Sequence, residues 1–529
     1  MAAPDLEAAR AAVDAAGAVV DAGVRKLAPQ GRGAEDVHQV VAYDLAHAAA
    51  SVAAARAILD YGARGDIEAG LATAFVADAV ADLATRTFGR EADWGIEPDA
   101  LASTVAFVAE HRAPAFLAGL VGDAGPRHLD AEFTMVQDTF RRFAEDRIRP
   151  VAERVHRTNA DIPEDVIAGL AEMGCFGLSV PEEYGGFATG GESDYLGMVV
   201  ATEELSRGSL GVGGSLITRP EILTRALVVG GTEEQKHHWL PQIASGEAMV
   251  AVAATEPDFG SDSGAVTTTA TAADGGWRFN GVKTWCTFAA RADILMLMAR
   301  TDPDRSKSHR GLSLFIVPKP RGEGHGFAFT QEQGGKIEGR AIDTIGYRGM
   351  HSYEVTIDGW WVPDDHLIGG EAGLGKGFYM QMAGFENGRL QTAARAVGVM
   401  QAAYEAAIEY AASRVVFGAP LADFQLTQVK LTRMAALIQA CRQFMYEVAR
   451  LMAKGEGTLE AAMVKAYACR AAEWVTREAM QIHGGMGYAE EFAVSRYFVD
   501  ARVLSIFEGA DEILGLKVIT RRLLEQAAT

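Results

Sequence analysis

Residues 502–514 read RVLSIFEGADEIL, with Glu508 at their centre. Ile506, Phe507 and Gly509 give its carboxyl apolar neighbours, and desolvation in such company raises a carboxyl pKa toward the range a general base uses. Gly509 allows the backbone to approach a ligand closely. A surface acid at the start of a helix would read the same way, so the meaning of this stretch depends on what the chain sets around it.

Toward the N-terminus, QIHGGMGY (481–488) carries glycines that let the backbone approach a dinucleotide; His483 within it suits packing or a hydrogen bond better than catalysis. RVVFG (414–418), followed by Gln425, offers a guanidinium that suits phosphate bidentately. A helix terminus capped by Gly418 has the same composition. TEPDFGSD (255–262) joins a strand-ending Thr to a Pro/Gly turn and so offers a hydroxyl and backbone N–H groups to a polar heteroaromatic edge, and WCT (285–287) follows after a strand pair. A structural turn and a core tryptophan would account for these two separately. No P-loop, and no GxGxxG after a strand, competes with them.

In this order and at these spacings the segments resemble those of the acyl-CoA dehydrogenase family, whose catalytic loop is written I-Y/F-E-G-T-x-E-I; Ala510 stands where that loop commonly has Thr. The resemblance implies a mostly α fold with a small β domain: an α-helical domain, a β-barrel-like middle domain and a C-terminal four-helix bundle. It implies FAD as cofactor and Glu508 as the base that takes the α proton of an acyl-CoA while a hydride leaves the β carbon for the flavin N5. The thioester oxygen is then met by the backbone N–H of Glu508 and a hydroxyl of FAD. The implied cofactor residues are Thr255 and Ser261 on the first loop, Trp285 on the ring face and Thr287 near N5. Arg414, Phe417, Gln425, Gln481, Gly484 and Gly485 hold the rest of FAD across a subunit interface. Ser261, Arg389 and Gly509 are the implied contacts with acyl-CoA, and electron-transferring flavoprotein is the implied acceptor. Some relatives carry the base before an R-L pair; FENGRL (385–390) has Gly388 there, and Glu386 points elsewhere around a helix, which leaves Glu508.

The resemblance covers roughly residues 130–525, and residues 1–125 form an N-terminal helical extension outside it. The extension is rich in Ala, Asp, Glu and Arg and is broken at PQGRG (29–33), YGARG (61–65) and WGIEP (94–98). His38 and His47 fall on what reads as one helix, as solvated or core residues, and no metal site is expected. GDIEAGLATAF (65–75) aligns without a gap with GTLEAAMVKAY (457–467), setting Phe75 opposite Tyr467. Alanine-rich helices produce such matches by chance. As a true repeat, it would make the extension an imitation of the C-terminal bundle that covers a face otherwise paired with another subunit. GLVGDAGP (119–126) reads as a linker. Residues 130–245 read as an α-helical domain, 246–365 as a β domain built on runs such as ILMLMA (294–299) and LSLFIVP (312–318), and 373–529 as a helical bundle with Val397, Met400, Tyr404, Ile408 and Ala411 on one face.

A chain of 529 residues is too long for one core. Its formal charge of -21, without Lys/Arg clusters, excludes a nucleic-acid or polybasic membrane surface, so an anionic substrate must be met by local groups. Cys175, Cys286, Cys441 and Cys469 are far apart, suggest neither disulfides nor zinc, and fit a cytoplasmic location. The N-terminus does not read as a secretory signal, and no apolar run is long enough to span a membrane. IDTIGYRGMH (342–351) and the extension are similar to family members acting on a short branched dicarboxylic acyl-CoA. Its carboxylate needs a cationic partner. Arg219 in LITRP (216–220) is the first candidate, followed by Arg207 and the GGKIEGR (334–340) loop ending in Arg340; Gly213, Gly214 and Ser215 suggest a compact pocket. Alternatives are an isobutyryl, butyryl or glutaryl type of dehydrogenase, an acyl-CoA oxidase and, remotely, a non-catalytic flavin-binding helical protein. FAD contacts shared between subunits imply a homo-oligomer, and the extension favours a dimer over a tetramer.

Overall fold

The computed structural model describes residues 3–122 and 124–528, so residue 123 of the expected linker lies outside it. The principal helices are α1 (Leu6–Leu27), α2 (Gln39–Gly62), α3 (Asp66–Thr87), α4 (Glu192–Gly208), α5 (Thr218–Gly230), α6 (Glu233–Ala244), α7 (Gly377–Ser413), α8 (Gln425–Ala453), α9 (Thr458–His483) and α10 (Ala493–Leu504). Between α6 and α7 run β1 (Val250–Ala253), β2 (Thr269–Ala273), β3 (Gly276–Thr287), β4 (Ile294–Arg300), β5 (Leu312–Pro318), β6 (Gly326–Thr330), β7 (Lys336–Ile342) and β8 (Ser352–Pro363). Contacts divide the chain into two units, one of Met1–Asp138, Val199–Glu203 and Thr392–Thr529, the other of Thr139–Met198 and Glu204–Gln391.

In the first unit the extension and the C-terminal helices form one body. α1 starts at Asp5, whose side chain accepts the Ala8 N–H at 2.9 Å, and ends with Arg25 and Lys26, which suit the helix dipole at that end. α2 packs against α1, α3, α8 and α9. It can do so because Ala42, Ala46, Ala50 and Ala54 keep its surface small and are buried. Phe75 and Tyr467, the two positions equated by the internal sequence match, meet edge to face with ring centroids 5.9 Å apart. His38 lies between helices at φ -109° and ψ 44°, so it does not share a helix with His47 as the sequence suggests.

In the glycine-rich stretch read as a linker, the described residues on either side of position 123 are held by side chains. Gln439 donates to the carbonyls of Ala124 and Gly125 at 2.6 and 2.8 Å, and Tyr404 donates to that of Gly122. Just beyond it, Arg127 and Arg442 reach the buried Glu203 at 2.9 and 2.8 Å. Burial would push that carboxyl up, but the two guanidiniums outweigh it and hold it below the usual range.

The second unit is built on an eight-stranded mixed sheet in the order β1-β4-β2-β3-β8-β7-β6, with β5 on β4. β4 and β5 are almost wholly buried, which explains their unbroken apolar sequences. Met296, Leu314 and Ile316 join Ile222, Trp239 and Leu240 in one core. α6 begins with a capping box between Thr232 and Gln235, and the Gln235 amide also donates to the carbonyls of Asp365 and Leu367 at 2.7 Å. The segment holding Arg340 is strand β7 rather than a loop. Among the described residues no helix is long and apolar enough to cross a membrane.

Candidate functional site

Within the second unit, the TEPDFGSD loop and the end of β3 are tied together by a residue pair to which sequence reading gave no role. Glu256 accepts the N–H groups of Thr267 and Thr268 and the Thr267 hydroxyl, each at 2.7 Å, and the Lys283 ammonium at 2.9 Å. Lys283 is fully buried and also donates to the Ala254 carbonyl. Burial alone would raise the Glu256 carboxyl; Lys283 and the donors from Thr267 and Thr268 overcome it and hold it at about 2. Next to the pair, the Thr284 N–H donates to the Thr255 carbonyl at 2.8 Å, so the strand end is fastened to the start of the loop. The signal was present as a Glu and a Lys on adjoining segments, but only the fold shows them facing each other.

β3 loses register against β8 between Lys283 and Cys286. Trp285 sits at this irregularity with φ 56° and is 54% exposed, whereas Cys286 beside it is buried. The bulge therefore turns an indole out of the sheet that would otherwise enter the core. Burial pushes the Cys286 thiol up to about 12, which makes it a core residue rather than a nucleophile. The Thr287 hydroxyl lies 3.0 Å from that of Ser352. Ser261 is exposed at the loop end.

Of the arginines considered for a substrate carboxylate, Arg219 is buried on α5. In the same region Thr218 donates to Gln391 at 2.6 Å and Asn387 donates to Glu221. Arg207 pairs with Glu145 at 2.7 Å and lies near Glu204, and Arg340 is exposed on the strand. Arg389 is half-buried on α7. Gly213 and Gly214 owe their size to packing, because a Cβ would come within 2.4 Å of Ile148 and 2.3 Å of Ser206 respectively.

The first unit carries the loop of residues 505–511. Glu508 has φ 53° and Gly509 φ 99°, and the loop closes where the Asp511 N–H donates to the Ser505 carbonyl at 3.1 Å. A Cβ at Gly509 would stand 2.9 Å from Leu514. The buried Lys465 ammonium donates to the Gly509 carbonyl at 2.6 Å, and the Arg395 guanidinium lies 4.9 Å from the Phe507 ring centroid. Glu508 is half-buried and Ile506 half-exposed, so its surroundings are less uniformly apolar than the sequence suggests, with two cations holding the neighbouring residues.

On the same unit Arg414, Phe417 and Gln425 are exposed, and Phe417 is 99% so. Residues 415–420 form a small hairpin with Phe417 and Gly418 at its tip, which replaces the helix cap that Gly418 could also have formed. Gln481, Gly484 and Gly485 lie at the end of α9, and a Cβ at either glycine would meet nothing. Tyr410, whose carbonyl accepts the Arg414 N–H, stacks on His483 with centroids 4.2 Å apart. That contact sets the Arg414 group and the Gly484–Gly485 turn side by side and gives His483 its packing role.

Comparison with known proteins agrees with this fold. Family models for the acyl-CoA dehydrogenase N-terminal, middle and C-terminal domains match residues 130–247, 251–360 and 375–524. The (2S)-methylsuccinyl-CoA dehydrogenase of Cereibacter sphaeroides is 45% identical over 76% of this chain and 71% of its own. A solved glutaryl-coenzyme A dehydrogenase in complex with glutaryl-CoA superposes with a TM-score of 0.68 at 30% identity, covering 76% of this chain and 97% of that one. A structure described as the electron transferring flavoprotein of Acidaminococcus fermentans gives a TM-score of 0.67 at 30% identity over 76% of this chain and 99% of its own. With three family domains matched in order and a shared fold, the chain belongs to the acyl-CoA dehydrogenase family of FAD-dependent enzymes.

Proposed function

We propose that this chain dehydrogenates a short branched dicarboxylic acyl-CoA between the α and β carbons, converting (2S)-methylsuccinyl-CoA to mesaconyl-CoA. The observation that carries the chemistry is Glu508, a carboxylate on a left-handed turn whose next carbonyl is taken by buried Lys465. The likeness to the Cereibacter sphaeroides enzyme supports the acyl group. Glutaryl-CoA, also a dicarboxylic thioester, is the second reading, since a similar solved structure is described with it.

The residues present fit FAD. Trp285 offers an exposed ring face, Thr287 a hydroxyl, Arg414 an exposed guanidinium, and Gly484 and Gly485 open space for close backbone approach. Thr255, Phe417, Gln425 and Gln481 complete that set. Bound FAD supplies the hydride acceptor. Glu508 takes the α proton, and its backbone N–H donates to the thioester oxygen as charge builds there; one such donor is worth about 10²–10³-fold. Ser261, Arg389 and Gly509 hold the thioester and its CoA, and Arg219 meets the free carboxylate, whose burial without a partner would be costly.

Electron-transferring flavoprotein is the acceptor, a reading supported by the similarity to a structure described by that name. The enzyme is a cytoplasmic homodimer. Phe417, Leu426, Met486 and Tyr488, all exposed on the first unit, support pairing with a second copy, and four buried free thiols fit a reducing compartment. The extension imitates the C-terminal bundle and covers a face that would otherwise pair with another subunit, which the Phe75–Tyr467 contact supports.

The test is anaerobic reduction of the bound flavin by methylsuccinyl-CoA beside glutaryl-, butyryl- and isobutyryl-CoA, followed by exposure to air. Methylsuccinyl-CoA should bleach the flavin about tenfold faster than the others, and reoxidation by oxygen should be slow. Faster bleaching by butyryl-CoA would reject the dicarboxylic substrate, and rapid reoxidation would make the enzyme an oxidase.

A further inference from the structure

Asp511, three residues after Glu508, is held by two side chains of the N-terminal extension. The Tyr43 hydroxyl donates to Asp511 Oδ2 at 2.5 Å, and His47 Nε2 lies 3.2 Å from the same oxygen. Tyr43 and His47 are one turn apart on α2, and their rings meet edge to face with centroids 4.5 Å apart. His47 and Asp511 are both buried, and Arg470 faces the Tyr43 ring at 6.0 Å. Burial would raise the Asp511 carboxyl, but His47 and Tyr43 outweigh it and keep it below its ordinary range. Burial and the Asp511 carboxylate push the Tyr43 phenol upward, so the hydroxyl remains a donor.

The attachment continues past the loop. Thr520 donates to the Ala42 carbonyl at 2.6 Å, Arg521 pairs with Glu35 at 2.9 Å, and Lys517 pairs with Asp36. A Cβ on Gly515 would meet the Tyr43 ring at 3.2 Å, so this glycine lets the ring lie against the segment. The start of the extension's central helix is thus laced along the chain that follows the catalytic loop. The closing hydrogen bond of that loop starts from the Asp511 N–H, on the very residue whose carboxylate the extension grips.

A glutamate at φ 53° is strained and keeps that conformation only where its surroundings over-determine it. Lys465 holds the tip of the loop through Gly509, the residue after Glu508. We propose that the extension holds its C-terminal stem, with Tyr43 and His47 as positioning residues that fix Asp511 and so keep the Glu508 carboxylate aimed at the substrate. This makes the extension a working part of the catalytic loop and rests on the reading of Glu508 as the base. A misplacement of about 1 Å in a reacting group costs about 100-fold in rate, so loosening this stem should be visible in the chemical step.

The test compares the wild-type holoenzyme with Tyr43→Phe, His47→Gln, the double variant, Asp511→Ala and Asp511→Asn. Hydrogen–deuterium exchange, measured without substrate, should show amides of residues 505–514 exchanging about tenfold faster in the double variant and in Asp511→Ala, with α1 and α8 unchanged. Anaerobic flavin reduction by methylsuccinyl-CoA should slow about tenfold or more while half-saturation moves less than about threefold. Asp511→Asn, which still accepts from Tyr43, should recover most of the rate. Adding Tyr43→Phe to Asp511→Ala should cost nothing further, since both remove the same contact. Unchanged exchange at 505–514, or losses that simply add, would overturn the proposal. The conservative Tyr43→Phe and His47→Gln variants decide it even where Asp511→Ala does not fold. A wild-type flavin reduced by no acyl thioester would instead overturn the reading of Glu508, while the exchange measurement still decides whether the extension holds the loop.

Discussion

Glu508 and Glu256 show two opposite uses of a carboxylate. Glu508 stands half-buried on a left-handed turn. Glu508→Gln, which keeps the shape and removes the proposed base, should slow flavin reduction by about 10²–10⁴-fold with flavin content unchanged, read by anaerobic stopped flow. Glu256 is a structural anion that fastens the loop of Thr255 to the strand carrying Trp285. Lys283→Met leaves that charge buried without its cation and should cost about 3–5 kcal/mol, measured by denaturant unfolding, with loss of bound flavin. The pH dependence follows from the same contacts. The Glu256 carboxyl is depressed from 4.5 to about 2 on folding, so its contribution is complete above pH 4.5 and fades as pH falls toward 2. Unfolding free energy should therefore drop by on the order of 3 kcal/mol across that window, and Glu256→Gln should flatten the profile. At this scale Glu508 stood out in the sequence as a candidate because its apolar and glycine neighbours are adjacent in the chain, although Ile506 proves exposed. The Glu256–Lys283 pair could not, because its partners meet only after β3 is laid against the loop.

At the level of elements, each unit has one local departure from regular structure that presents candidate cofactor residues. The irregularity between Lys283 and Cys286 turns Trp285 outward, and the turn after α9 places Gly484 at φ 60° and ψ -137°. That conformation is essentially restricted to glycine, so Gly484→Ala should be strained by about 1–3 kcal/mol and should weaken FAD retention, measured by flavin fluorescence release. Trp285→Ala should lower FAD affinity, whereas Trp285→Phe, which keeps a stacking face, should retain most of it. The runs ILMLMA and LSLFIVP announced β4 and β5 because buried strands are continuously apolar. The bulge left no such mark, since its residues are set by pairing with β8 rather than by their own propensities.

For the whole molecule, the exposed apolar residues Phe417, Leu426, Met486 and Tyr488 are the surface on which a homodimer would rest. Phe417→Asp with Leu426→Asp should convert the proposed dimer to monomer and release FAD; light scattering at micromolar concentration reads the first and the flavin spectrum the second. Order and spacing of motifs made the family and its helix–sheet–helix course legible, because close-range residues such as IFEG, WCT and TEP carry their chemistry in contiguous sequence. The extension was harder. Its match to residues 457–467 could be seen, but an alanine-rich helix says nothing of its partners, and only folding set Phe75 against Tyr467 and Tyr43 and His47 against Asp511. The linear chain fixed which groups are available to act as base, stacking ring and phosphate partner. Three-dimensional packing decided which buried charges pair and what holds Glu508 in its strained turn, since those interactions join residues up to 486 positions apart.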